Sequence, residues 1–153
     1  MVNEKGIIKQ YDVVVYPFYF VVAIGDVGKE INARYKPSSS KFNWIAAPEE
    51  DESAVTYRIR LKKDDCFTIM IWYKTMKDFT GSTLTHECDH AALEIFNFTG
   101  AKVQYDNQEP FCYLAGTLSK FATETYYEYR EYLLKNKKKN GKNKAKAKQT
   151  GNP

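Results

Sequence analysis

The sequence predicts an α+β fold in which a small, mostly antiparallel sheet precedes two antiparallel helices. Short runs rich in Val, Ile, Phe and Tyr, separated by turn residues, fill the first half of the chain and are typical of strands. The second half repeats apolar residues at helical spacing. With 43% hydrophobic residues among 153, the chain has enough apolar material for one domain with its own core.

The first elements are predicted within residues 7–35. Clusters of β-branched and aromatic side chains up to residue 24 predict one or two strands, and Pro17 limits strand pairing in the middle of that run. Asp26 then suits the N-cap of a short helix that runs through Tyr35 and ends before Lys36 and Pro37. One or two strands followed by one short helix are therefore expected in this part of the chain.

A β-hairpin is predicted next. Residues 38–53, with a serine run and an acidic run, predict a loop. Residues 54–61 alternate in the manner of a half-buried strand, the polar residues 62–65 suit a turn, and residues 66–73 form a strongly apolar partner strand.

Two helices complete the predicted domain. Thr80 and the polar residues after it can cap a helix that runs to Thr99, with Gly100 as a left-handed stop. A second helix begins near Pro110, and the short connection makes the two helices antiparallel neighbours. The expected buried positions of the first helix are Leu84, Ala91, Leu93, Ile95 and Phe98. Those of the second are Phe111, Leu114, Leu118, Phe121, Thr125 and Tyr129.

The net charge of +4 divides unevenly along the chain. Eight lysines and no acidic residue lie within residues 135–148, so the remainder of the chain has a net charge of −4. Like charges repel and no apolar periodicity survives, which predicts a domain over residues 1–134 and a lysine-rich disordered tail over residues 135–153. The tail either makes weak contact with nucleic acid or another polyanion, or serves only solubility.

The composition also bears on location. We expect a soluble protein, because no stretch has the apolar length of a membrane span and the first residues do not resemble a secretion signal. Three widely spaced cysteines argue against a disulfide framework and against a cysteine zinc site, and favour a reducing compartment.

The two histidines of the chain carry its most specific signal. His86 and His90 lie four residues apart with Glu87 between them, which is an HExxH motif. On a helix both imidazoles lie on one face and can bind one zinc ion. Glu87 is then placed to take a proton from a metal-activated water and deliver it to the leaving amine.

A catalytic zinc usually has three protein ligands, so a third is needed. Glu109, at the start of the second helix, is our choice, provided that the preceding loop folds back toward the histidines. Asp106 is its nearest competitor, with helix capping as its alternative role. Glu94, one turn after His90, is better suited to supporting an imidazole.

Three further residue assignments concern the chemistry around the metal. Tyr113, one turn after Glu109, is a candidate donor to the oxyanion, and its alternative is a packed core tyrosine. The strand over residues 66–73 is the expected edge strand for an extended substrate. Cys88 points away from the histidines and is expected to be a small packing residue.

These residues support a resemblance. The HExxH motif followed by Glu109, nineteen positions after His90, resembles the gluzincin class of metallopeptidases, and the Glu109 helix is similar in style to that of ImmA/IrrE-type peptidases. Residues 85–92 and 106–114 together resemble a group of small uncharacterised proteins of tailed bacteriophages and prophages. The resemblance covers about the middle third of the chain and implies a zincin-like zinc metallopeptidase of phage origin. It places the protein in the bacterial host cytoplasm or with the virion.

Three functions remain open at this point. The first is a zinc-dependent peptidase acting on a peptide or protein. The second is a non-catalytic phage or virion-associated binding protein that retains the metal-site fold. In the third, the histidines are ordinary polar residues at a helix edge. An intact Glu87 favours the first over the second, since an inert site needs no general base.

Overall fold

A computed structural model describes residues 1–13 and 16–149, with side chains described through residue 139 except at 14 and 15. This part of the chain forms a five-stranded, mostly antiparallel sheet and three helices, so the α+β prediction is confirmed. In chain order the elements are β1 (Gly6–Asp12), β2 (Tyr19–Gly25), α1 (Gly28–Arg34), β3 (Tyr35–Pro37), β4 (Ala54–Leu61), β5 (Phe67–Tyr73), α2 (Gly81–Thr99) and α3 (Glu109–Gln149).

The strands are ordered β1-β2-β5-β4-β3 across the sheet. The pair β2 and β5 is parallel, and the other neighbours are antiparallel. The predicted hairpin is confirmed: β4 pairs with β5, with Thr56 opposite Ile71. Strand β5 is buried at every position because it lies at the centre of the sheet.

Strand β3 was not expected from the sequence, which predicts helix up to residue 35. It has three residues and pairs only with the C-terminal end of β4, where Pro37 lies opposite Ile59. The N-terminal half of β4 is therefore an open sheet edge among the residues that the structure describes.

Each face of the sheet is covered by a separate layer. Alternate residues of a strand point to opposite faces, so Phe20 and Val22 of β2 pack under α2 and α3, while Val21 packs against α1. Trp72 of β5 belongs to the α1 layer and donates its indole N–H to the carbonyl of Gly25 at 2.9 Å. The sheet is thus the middle layer of three.

The helices α2 and α3 are antiparallel neighbours, as predicted. The ring of Phe96 near the end of α2 contacts that of Phe111 near the start of α3, edge to face at 5.8 Å between centroids. The other side of α3 reaches β1, where the Tyr11 hydroxyl and Thr125 Oγ1 are 2.9 Å apart. The α3 layer is therefore anchored both to α2 and to the far strand of the sheet.

The lysine-rich segment lies at the end of α3, which the structure describes as far as Gln149; residues 150–153 lie outside the described part. The disordered tail that the sequence predicts after Leu134 stays a prediction. Lysine and alanine are good helix formers, and Glu131 and Lys135 form an ion pair one turn apart, 3.4 Å in length. Contact of this segment with a polyanion stays a prediction.

Within the described residues, no helix combines the length and apolar character that crossing a membrane requires.

Two details of the helices also differ. Helix α1 has Val27, not Asp26, at its N-cap, without a side-chain cap. On α2, Leu93 and Phe98 are about half exposed, although the sequence predicts them in the buried stripe. The buried face of α2 instead consists of Glu87, Cys88, Ala91, Ala92, Ile95 and Phe96. The buried face is rotated relative to the predicted stripe, because α2 packs against the sheet on one side and against α3 on the adjacent side.

The burial of α2 leads to a test with two aliphatic residues of the same helix. We expect Ile95→Ala to lower the free energy of unfolding by about 2–5 kcal/mol, because Ile95 is fully buried and its truncation leaves a cavity. Leu93→Ala, at a half-exposed position, should cost less than about 1 kcal/mol. Urea unfolding monitored by circular dichroism measures both, and equal losses would contradict this packing of α2.

Candidate metal and hydrolase site

The histidine pair lies in the second and third turns of α2. The helix begins after Thr80, whose Oγ1 accepts a hydrogen bond from the Thr83 main-chain N–H at 3.2 Å. His86 and His90 are exposed, with their Nε2 atoms 3.2 Å apart and their rings edge to face at 84°. The sequence prediction that both imidazoles share one helix face is therefore confirmed.

Glu87 points in a different direction from the histidines. It is only 6% exposed, because α2 packs across β4 at this level. Thr56 Oγ1 of β4 donates to Glu87 Oε2 at 2.6 Å, and it also lies 3.2 Å from the Glu87 main-chain oxygen. The carboxylate is thus held between the helix and the open edge of the sheet.

Thr56 lies in the site although no motif of the sequence marks it. The alternation of residues 54–61 predicts that Thr56 shares a strand face with Ala54 and Arg58. That pattern does not reveal which helix covers the face. Only the packing of α2 on β4 makes Thr56 the partner of Glu87.

A small cavity of about 250 Å³ joins these groups. Both histidines, Glu87 and Thr56 line it, together with Glu52 and Glu94. Glu94 lies 3.5 Å from the Arg58 guanidinium, and its Oε2 atom is buried without a hydrogen-bond partner among the described residues. Carboxylates therefore surround the imidazoles on the side that faces β4.

The wall behind Glu87 is uncharged. Cys88 is buried in the core, as predicted, and burial raises the pKa of its thiol to about 11. Burial also raises the pKa of the neighbouring Tyr73 phenol. Both groups stay protonated near neutral pH, so neither adds a charge beside Glu87.

The histidine pair fits a metal as two of its ligands. Nitrogen ligands about 2.0–2.1 Å from a tetrahedral zinc lie about 3.3 Å apart, close to the separation of the two Nε2 atoms. A third ligand is not assembled: within residues 1–13 and 16–139, no three His, Cys, Asp or Glu side chains are grouped to hold a metal. The pair alone can also be satisfied by a hydrogen bond between the rings.

The structure does not bring Glu109 or Asp106 to the histidines. Phe111 packs at the level of Phe96, and at about 1.5 Å per residue that level is about 9 Å along α2 from His90. The loop after α2 simply reverses the chain, so the start of α3 lies beside the end of α2. The prediction of Glu109 as third ligand required the loop to fold back, and it does not.

Tyr113 is also absent from the cavity. It is 74% exposed, so neither the role of oxyanion donor nor that of packed core residue fits it. Leu114 and Leu118 define the buried stripe of α3, and Tyr113 lies one position, or about 100°, away from that stripe. Its side chain consequently faces solvent.

The prediction that residues 66–73 form the edge strand for a substrate is also wrong. Strand β5, which corresponds to residues 66–73, lies between β2 and β4 and offers no free edge. Its uninterrupted apolar run is the signature of a central strand, whereas the alternation of β4 suits a less buried one. The edge beside the histidines belongs to β4.

The hydrogen bond between Thr56 and Glu87 can be tested by stability alone. Thr56→Val keeps the shape of the side chain but removes the donor, which leaves a buried carboxylate oxygen unpaired. We expect Thr56→Val to lower the free energy of unfolding by about 1–3 kcal/mol at neutral pH. Thr56→Ser keeps the hydroxyl donor and should retain most of the wild-type stability. Equal losses for the two variants would show that packing, not the hydroxyl, matters here.

No protein-family model matches the chain, and neither a curated protein nor a solved structure matches it.

Proposed function

We propose that the chain is a zinc-dependent peptidase in which His86 and His90 hold the metal and Glu87 is the general base. The observation that carries this proposal is the pairing of two exposed imidazoles, 3.2 Å apart, with a buried carboxylate on the adjacent face of the same helix. When bound, zinc polarises a carbonyl and lowers the pKa of a coordinated water toward neutrality. Because both histidines are exposed, a metal that they held would be accessible to a substrate.

The residues of the chain divide the remaining work. Glu87 accepts a proton from the attacking water and returns it to the leaving amine. Thr56 occupies Oε2 of Glu87, so that Oε1 is the oxygen left to take the proton. The strand that orients the base is also the open edge of the sheet, and this supports an extended peptide as the substrate.

A second candidate is a non-catalytic binding protein, virion-associated or otherwise of phage origin. The absence of a third clustered ligand among residues 1–13 and 16–139 favours it, since two histidines alone hold zinc weakly. Glu87 favours the peptidase, because burying a carboxylate costs free energy of folding and a catalytic role would explain why it is buried. The location in a host cytoplasm or virion stays a prediction for either candidate.

The role of Glu87 is tested with Glu87→Gln. Glutamine keeps the shape of the side chain and can accept the Thr56 hydrogen bond, but it cannot take the proton. We expect zinc content to be unchanged while hydrolysis of a peptide library, followed by mass spectrometry, falls by about 10²–10⁴-fold. Undiminished hydrolysis would exclude Glu87 as the base, and a wild-type protein that binds zinc without cleaving any peptide would favour the second candidate.

The ligand set is tested by zinc affinity. His90→Ala should weaken zinc binding by more than about tenfold, because one of two imidazoles is lost. Glu109→Ala should leave the affinity unchanged, because Glu109 lies beside the opposite end of α2. Isothermal titration with zinc measures both. A loss for Glu109→Ala as large as that for His90→Ala would mean that the start of α3 reaches the site in solution.

A further inference from the structure

A groove of about 780 Å³ continues from the histidine cavity along the edge of β4. The two spaces share Thr56 and Glu94 in their walls. One side of the groove is the C-terminal half of α2, and the other is the loop between β3 and β4. A molecule that occupies the groove therefore lies next to the histidine cavity.

Where the groove meets the histidine cavity, the edge of β4 has backbone groups that are unpaired among the described residues. The main-chain oxygen of Arg58 accepts from the Ser38 N–H at 3.2 Å, which marks Arg58 as a residue whose backbone faces the outer edge. Because backbone direction alternates along a strand, the N–H and C=O of Ala54 and Thr56 face the same edge. No backbone group among the described residues pairs with them there. An added strand could take up these hydrogen bonds.

The walls of the groove are aromatic and exposed. Phe42 and Trp44 are 65% and 68% exposed, and Phe98 is 50% exposed while stacking on Phe67 at 3.8 Å. The loop that carries Trp44 is anchored, because Asn32 makes two hydrogen bonds to the backbone of Ile45, of 2.7 and 2.9 Å. Large apolar side chains gathered in one groove mark a binding surface.

The charges along the groove are balanced. Arg58 is paired with Glu94, and Arg60 forms an ion pair of 3.1 Å with Asp65. Neither a strongly acidic nor a strongly basic peptide is therefore favoured. Recognition depends on backbone hydrogen bonds and on apolar contacts.

We propose that this groove binds an extended, uncharged peptide segment with a large apolar side chain, of the leucine or phenylalanine kind, placed between Trp44 and Phe98. Phe98 lies two helical turns after His90, about 12 Å along α2, and an extended peptide rises about 3.3 Å per residue. The apolar residue thus lies three or four positions from the bond at the histidines. This spacing rests on the proposed peptidase function, whereas binding of the peptide does not.

Trp44 provides a direct measure of binding. The chain has two tryptophans, and Trp72 is buried, so a change in tryptophan emission on adding peptide reports on Trp44. The probe is a blocked ten-residue peptide of alanine, serine and glutamine with one central leucine, added to the full-length Glu87→Gln variant. We expect a peptide with alanine in place of leucine to bind at least about tenfold more weakly.

Matched variants separate the groove from the rest of the surface. Phe98→Ala should weaken binding of the leucine peptide at least about fivefold, because it removes one apolar wall. Trp44→Ala, on the loop, should do the same when binding is followed by calorimetry. Tyr105→Ala replaces an aromatic residue that is almost fully exposed outside the groove, and binding should not change.

Each outcome decides the inference. Equal binding of the leucine and alanine peptides, or equal losses in Phe98→Ala and Tyr105→Ala, would overturn it. So would Trp44 emission that changes with protein concentration alone, because a second copy would then occupy the β4 edge. If the leucine peptide binds but zinc-loaded wild-type protein does not cleave it, the groove stands and the peptidase proposal fails. If the protein cleaves peptides without preferring an apolar residue, the peptidase proposal stands and the groove proposal fails.

Discussion

The contact between α2 and the N-terminal half of β4 is the constraint on which the site depends. Packing of the helix across the strand turns Glu87 inward, where Thr56 holds its carboxylate, and the same rotation leaves His86 and His90 at the surface. Burial of an ionisable group costs free energy unless a donor satisfies it. The threonine hydroxyl therefore links the stability of this interface to the orientation of the carboxylate.

The short strand β3 has an equally large effect on what the sheet can do. Because it covers only the C-terminal end of β4, the backbone of the N-terminal half stays available beside the histidines. Proteins usually protect open edges with charges or irregular strands. Here the edge is bordered by an anchored loop and by aromatic side chains, an arrangement that suits controlled strand addition better than protection.

The incomplete ligand set is consistent with the way α2 and α3 are joined. The loop after α2 reverses the chain and places the start of α3, including Glu109, beside the end of α2. The carboxylates that do line the histidine cavity are Glu52 and Glu94, and Glu94 is already engaged with Arg58. A metal bound here, as proposed, would therefore be held by the two imidazoles beside the cavity wall formed by β4, and not by side chains of α3.

The sequence by itself determined the elements that local patterns specify. Alternation located β4, a continuous apolar run located β5, and Thr80 and Gly100 marked the ends of α2, because strand periodicity and helix caps depend on neighbouring residues alone. The spacing of His86 and His90 likewise determined that both imidazoles share a face. These features required no knowledge of distant contacts.

Only the tertiary structure decided which groups meet. The order of strands placed β5 at the centre, and the shortness of β3 left the N-terminal half of β4 as an open edge among the described residues. The course of the loop kept Glu109 from the histidines, and the docking of α2 paired Glu87 with Thr56. Helix rotation decided that Tyr113 faces solvent. Such pairings depend on contacts between residues far apart in the chain, and a periodic pattern gives the face of a helix or strand but not the element that covers it.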